Sequence, residues 1–205
     1  MPVQIEHHPF QPFLPEGARI LFLGSFPPQP HRWCMPFYYP NWINDFWRIL
    51  GLIHFGDKNH FCIPAEKRFD EAAIRAFCTS HGLAFYDTAC AVRRLKDNAS
   101  DAFLEVVSPT DIPALLARIP ECRHIVVTGE KAAQTLAASL GCTPPPVGGC
   151  IDIVIGGSTL PPVAGSTPST RPLRLWRMPS TSRAYPLKLE KKAEAYRQLF
   201  LTASA

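Results

Sequence analysis

Short apolar runs alternate along this chain with longer stretches whose apolar residues recur at helical spacing. The run Ala18–Leu23 enters Gly24 and suits a strand buried on both faces. Leu83–Tyr86, the β-branched His124–Thr128 and Leu173–Trp176 read as further strands. Between them the period changes. Asn44–Gly51 (NDFWRILG) predicts a short helix, and Glu66–His81 keeps Phe69, Ala73, Ala76 and Phe77 on one face before stopping at Gly82. Ser108–Ile119 carries Thr110, Asp111 and Pro113 at its front, good capping and first-turn residues ahead of Leu115, Leu116 and Ile119. Alanine-rich Glu130–Leu140 ends at Gly141, and amphipathic Leu187–Leu201 closes the pattern.

Strands alternating with helices imply a three-layer α/β/α fold with a mostly parallel central sheet of about four strands. Residues 1–205 are expected to form one domain. Between Thr143 and Pro172 the composition shifts to Pro, Gly, Ser and Thr around a β-branched island at Ile151–Ile155, which predicts an excursion within that domain, such as a hairpin. In an open α/β sheet, ligands lie outside the carboxyl ends of the strands. Two small-residue turns follow apolar runs directly, Gly24–Pro28 (GSFPP) and Met178–Ser182 (MPSTS), and together they predict a site.

Composition narrows the classes without choosing among them. With 205 residues, 46% hydrophobic and 19% charged, the chain is long enough to bury a real core but short for two domains. No apolar stretch approaches the roughly 20 residues that span a bilayer, and MPVQIEHHPFQPF lacks the pattern of a secretory signal, so a cytoplasmic protein without membrane contact is expected. The seven cysteines show neither CxxC pairs nor finger spacing; no metal site or cofactor is signalled, and reduced thiols are expected. A formal net charge of +4 is compatible with a polyanionic partner but does not demand one. His7 and His8 read as solvated terminus, Lys188, Lys191 and Lys192 as an exposed helix face, and His31 with Arg32 as a loop.

Several of these residues stand in a familiar order. GSFP at Gly24–Pro27, Tyr38 with Tyr39, Asn44 with Phe46 and Trp47 at a helix start, Tyr86 with Asp87 after the second strand, and Pro179–Ser182 follow one another along nearly the whole chain. Together they resemble the uracil-DNA glycosylase superfamily, and within it the hypoxanthine-DNA glycosylase branch, family six. Pro28 replaces the branch's usual small residue, and the loop Gln29–Asn41 and the Pro/Gly-rich excursion depart from its pattern.

The resemblance implies a monomeric, monofunctional DNA glycosylase, free of cofactor, that hydrolyses the N-glycosidic bond of a flipped-out deaminated base such as uracil or hypoxanthine. Its partner is DNA containing the damaged base. The base pocket would draw on Gly24, Ser25, Phe26, Pro27, Tyr39, Phe46 and Asp87, with Phe46 as the stacking ring and Tyr38 or Tyr39 as a second wall. Asp87, which accepts only, would read a ring N–H, or would instead cap a turn or pair with Arg93 or Arg94. Phe26 stands where other branches carry a water-handling carboxylate or amide, which leaves Asn44, or Asp45 as fallback base, for that task; Asn44 is equally a natural helix cap. Pro179, Ser180, Thr181, Ser182 and Arg183 would grip DNA, with Arg183 or Tyr185 as the wedge that replaces the base. Two other readings remain open: a non-catalytic nucleic-acid-binding protein of the same fold, and a small-molecule α/β hydrolase.

Overall fold

A computed structural model describes residues 4–96, 101–155 and 172–203, with the side chain of Ala102 outside the description. The strands are β1 (Ile5–His7), β2 (Ile20–Gly24), β3 (Cys62–Ile63), β4 (Arg68–Phe69), β5 (Leu83–Asp87), β6 (Ala89–Arg94), β7 (Leu104–Pro109), β8 (His124–Thr128), β9 (Cys150–Val154) and β10 (Pro172–Met178). The helices are α1 (Phe46–Phe55), α2 (Glu71–Ser80), α3 (Ile112–Ala117), α4 (Glu130–Leu140) and α5 (Leu189–Ala203).

A five-stranded sheet of order β5-β2-β8-β10-β9, flanked by helices, forms the centre of the α/β/α fold. The expected parallel strands β5, β2, β8 and β10 are all there. The fifth comes from the Pro/Gly-rich region: its β-branched island forms β9, antiparallel to β10, while residues 156–171 of that region lie outside the described residues. Every residue of β2 is buried, as a strand covered on both faces requires. Rings fill the interior, Phe22 stacking on Phe85 at 5.4 Å between centroids and Trp47 fully buried beside them.

The helix starts follow local chemistry. Asp111 Oδ1 accepts from the Ala114 amide at 2.9 Å and Asp70 Oδ1 from the Ala73 amide at 3.0 Å, so both carboxylates satisfy otherwise unpaired first-turn donors. The cap at Asp70 also corrects the helix expected from Glu66. Phe69 lies in β4, paired with Cys62 of β3, and the helix begins only at Glu71. Likewise Ser108 and Pro109 end strand β7, and α3 starts at Ile112.

A second, three-stranded antiparallel sheet of order β1-β6-β7 has no counterpart in the expectations. Its strands are short or mixed: ACAVRR joins small apolar residues to two arginines, and LEVVSP is interrupted by Glu and Ser. Phe26 packs with Ala89, Val92 and Leu104 in a small cluster under this sheet. The sheet matters because it carries the chain's N-terminal strand alongside the ends of the central strands. Among the described residues no helix is long and apolar enough to cross a membrane.

Candidate active site

Parallel register places Gly24 opposite Asp87 and Met178 opposite Thr128, so the turns after β2, β5, β8 and β10 emerge on one edge of the sheet. They enclose a cleft of about 530 Å³, within the range of small-ligand sites. Gly24–Pro28 forms one side, Ser180–Ala184 another, and Tyr38, Tyr39 and Asn44 arrive from the segment leading into α1.

The floor is set by Asp87. An added Cβ on Gly24 would lie 2.4 Å from Asp87 Oδ1, so the carboxylate rests directly on the glycine and only Gly fits there. Its other oxygen, Oδ2, is 2.8 Å from Nε2 of His8. This pair is secluded, with His8 and Asp87 side chains 2% and 9% exposed. Aromatic rings cage the imidazole, Tyr86 at 4.5 Å and Phe26 at 5.3 Å between centroids. Arg94, which also lines the cleft, grips Glu6 of β1 through two hydrogen bonds of 3.1 and 3.0 Å and donates to the Pro27 carbonyl at 3.1 Å, tying the first turn to the antiparallel sheet.

Tyr39 provides the aromatic wall. Its φ of 51° is left-handed, which costs a non-glycine residue free energy and persists only under outside constraint. Two contacts supply it. The ring stacks on Phe46 at 3.8 Å and 8°, and its hydroxyl shares a 2.9 Å hydrogen bond with Thr128. Burial raises the phenol pKa, so the hydroxyl stays protonated at neutral pH. Phe46 itself is fully buried behind Tyr39 and does not reach the cleft, because the first turn of α1 aims it into the core. Of these two rings, Tyr39 borders the cleft and Phe46 does not.

The three consecutive residues at the start of α1 point three ways. Asn44 lines the cleft while its Oδ1 accepts from the Phe46 amide at 2.8 Å; capping thus uses the oxygen and leaves the NH2 as a donor held in fixed orientation. Asp45 turns away from the cleft. Its Oδ2 accepts from Lys192 Nζ at 2.9 Å, Arg183 stands 3.6 Å from Oδ1, and its amide donates to the Thr181 carbonyl at 2.9 Å. Both of its carboxylate oxygens thus face cations, and the residue does not line the cleft.

Lys192 likewise departs from the expected exposed helix face. It is fully buried on α5, with Nζ donating to Asp45 and, at 2.8 Å, to the Ser182 carbonyl. Tyr196, one turn further on, donates to the Pro179 carbonyl at 3.0 Å. Helix α5 thereby holds the Pro179–Ser182 loop from behind. Pro179 is buried outside the cleft, Thr181 is buried with its surface on the cleft, and Ser180, Ser182 and Arg183 form the accessible rim.

Of the residues singled out in the sequence, Gly24, Ser25, Phe26, Pro27, Tyr39, Asn44, Asp87, Ser180, Thr181, Ser182 and Arg183 line one cleft; Asp45, Phe46 and Pro179 do not. Arg32, from the loop read as such, joins the lining. Sequence reasoning missed three participants. His8 lies not in solvent but against Asp87, and Arg94 holds the first turn. Asp101 enters from the short turn before β7, hydrogen-bonded to Ser25; its surface reaches solvent, yet crowding of the carboxyl outweighs that bond and, helped by Asp87, raises its pKa. No periodicity in the polar stretch Glu6–His8 signals the burial of the His8 side chain, and none points to its partner.

Fold and cleft define an α/β/α protein with its cleft at the carboxyl ends of parallel strands. Among solved structures, the chain is similar to the solution NMR structure of a putative uracil DNA glycosylase from Methanosarcina acetivorans, with a TM-score of 0.59 over 98% of this chain and 100% of that one. Identity is 19%, and the likeness shows a shared fold. No family model matches the sequence, and no curated protein matches it.

Proposed function

We propose that this protein is a DNA glycosylase that hydrolyses the N-glycosidic bond of a flipped-out deaminated base, uracil or hypoxanthine. The observation that carries this reading is the convergence in one cleft of an aromatic wall, Tyr39, and an acceptor-only edge, Asp87, beneath a rim of short donors at Ser180–Arg183. Excision requires a base to leave the stack and be held by one aromatic face and one polar edge. Tyr39 supplies the face. Asp87 Oδ1 accepts a ring N–H, as uracil and hypoxanthine both present. The hydroxyls of Ser180 and Ser182 and the guanidinium of Arg183 suit the phosphates beside the extruded nucleotide.

For the chemistry, the electron pair of the glycosidic bond leaves with the base, water adds to the sugar's C1′, and the water's proton is lost to solvent or to the departing base. Asn44 lines the cleft with its Oδ1 bound by the Phe46 amide, and its NH2 orients that water or the sugar; positioning of this kind lowers the barrier without a strong base. The likeness to the Methanosarcina fold supports the same reading.

Duplex oligonucleotides carrying uracil, hypoxanthine or xanthine opposite each partner base test it by release of free base. Release of uracil or hypoxanthine with an abasic product is the expected result. DNA binding without release of any base would overturn the enzyme reading in favour of a binding protein of the same fold.

A further inference from the structure

We infer that His8 is the positioning residue of this cleft: it holds the Asp87 carboxylate so that one oxygen, Oδ1, serves as a fixed acceptor for a ring N–H of the bound base. The inference rests on the reading of the cleft as a base pocket. Its geometry is independent of it.

Asp87 alone would be a poor reader. A carboxylate at a strand end rotates about two bonds, and each orientation offers a different edge to a ligand. Here both oxygens are committed in space. Oδ2 is bound by His8 Nε2 at 2.8 Å, and Oδ1 lies on Gly24, within 2.4 Å of where a Cβ would stand. Among the described residues Oδ1 has no hydrogen-bond donor, and both Gly24 and Asp87 line the cleft. One oxygen is therefore used for anchoring and the other is left for a ligand.

The imidazole is itself held. Its Nδ1 lies 3.0 Å from the Phe10 carbonyl and 3.1 Å from the Phe10 amide, which pins the ring on the side away from Asp87 and leaves Nε2 facing the carboxylate. Rings of Tyr86, Phe26 and Phe10 surround it, and the side chain is 2% exposed. So enclosed a histidine does not reach a substrate; it acts through Asp87. Strand β1 places it there by pairing with β6, which follows directly on β5 and Asp87.

The acceptor selects bases that carry an N–H beside a carbonyl, and it penalises those whose N–H is replaced by N-methyl. The test measures kcat and KM for excision of uracil against 3-methyluracil from otherwise identical duplexes. It uses the full-length protein, His8→Leu, His8→Gln, Asp87→Asn and the His8→Leu/Asp87→Asn double variant, each checked by its melting temperature. The wild type is expected to favour uracil at least tenfold. Because a hydrogen bond to a charged group is at stake, His8→Leu should lose about 10- to 100-fold in kcat/KM on uracil and most of the discrimination. His8→Gln, which restores an N–H at similar reach, should recover part of the loss, and the double variant should be no worse than Asp87→Asn alone.

A folded His8→Leu protein with unchanged kcat/KM and unchanged discrimination overturns the inference while the glycosylase reading stands. If leucine does not fold, a folded His8→Gln variant without discrimination overturns it equally. A wild type that releases uracil from no duplex overturns the glycosylase reading, and this inference falls with it.

Discussion

Lys192→Met tests the support of the cleft rim from behind. Lys192 is fully buried, with its ammonium 2.9 Å from Asp45 Oδ2 and 2.8 Å from the Ser182 carbonyl. Methionine keeps the volume of the stem but leaves Asp45, a 6% exposed carboxylate, without its main partner. Breaking a buried ion pair from one side costs about 3–5 kcal/mol. Arg183 stays 3.6 Å from Oδ1 but is 57% exposed, and a solvent-screened pair of that kind returns about 0–1 kcal/mol. The expected loss is thus about 2–4 kcal/mol, read from urea unfolding at pH 7 with the slope unchanged. Adding Asp45→Asn removes the stranded charge, so the double variant should be more stable than Lys192→Met alone. A loss below about 1 kcal/mol, or a double variant as unstable as the sum of its parts, would refute the coupling of helix α5 to the rim.

Three further outcomes follow from the geometry. Asn44→Ala forfeits the cap to the Phe46 amide and should cost about 1 kcal/mol, while base release should fall by a far larger factor than that; a variant that loses stability but keeps its rate assigns Asn44 to capping only. Arg183→Ala should weaken DNA binding and lower the slope of log K against log salt by about one phosphate contact, and an unchanged slope would place Arg183 away from the backbone. Burial among Phe77, Phe200 and His81 pushes the His54 pKa down to about 4 from 6.5, with Nε2 lacking a partner among the described residues. The folded state therefore binds fewer protons than the unfolded one between those values, and stability is lost as pH falls from 6.5 towards 4. Allowing for partial solvent access, the loss is about 1–2 kcal/mol, and it should vanish in His54→Leu; an equal pH slope in that variant would refute the assignment.

Much of the fold was legible from local pattern. His124–Thr128 and Glu130–Leu140 lie where periodicity and the flanking glycines put them, because burial on two faces or on one stripe leaves its period in the sequence. The antiparallel sheet was not legible. Strands such as ACAVRR mix small apolar residues with arginines, a weak strand signal, and their pairing is fixed by partners elsewhere in the chain.

The same division runs through the site. Strand-end turns GSFPP and MPSTS announced themselves by composition, and parallel register then brought them to one cleft. Which neighbour faces which environment was decided only by tertiary structure. Asn44, Asp45 and Phe46 are adjacent in sequence, yet one meets the cleft, one a buried lysine and one the core, since successive residues at a helix start diverge around its axis. His8 and Asp87 are 79 residues apart, and Asp45 and Lys192 are 147 apart. Local periodicity records that a side chain is buried. It holds no record of the partner that burial selects, because that choice depends on the order of the strands in the sheet.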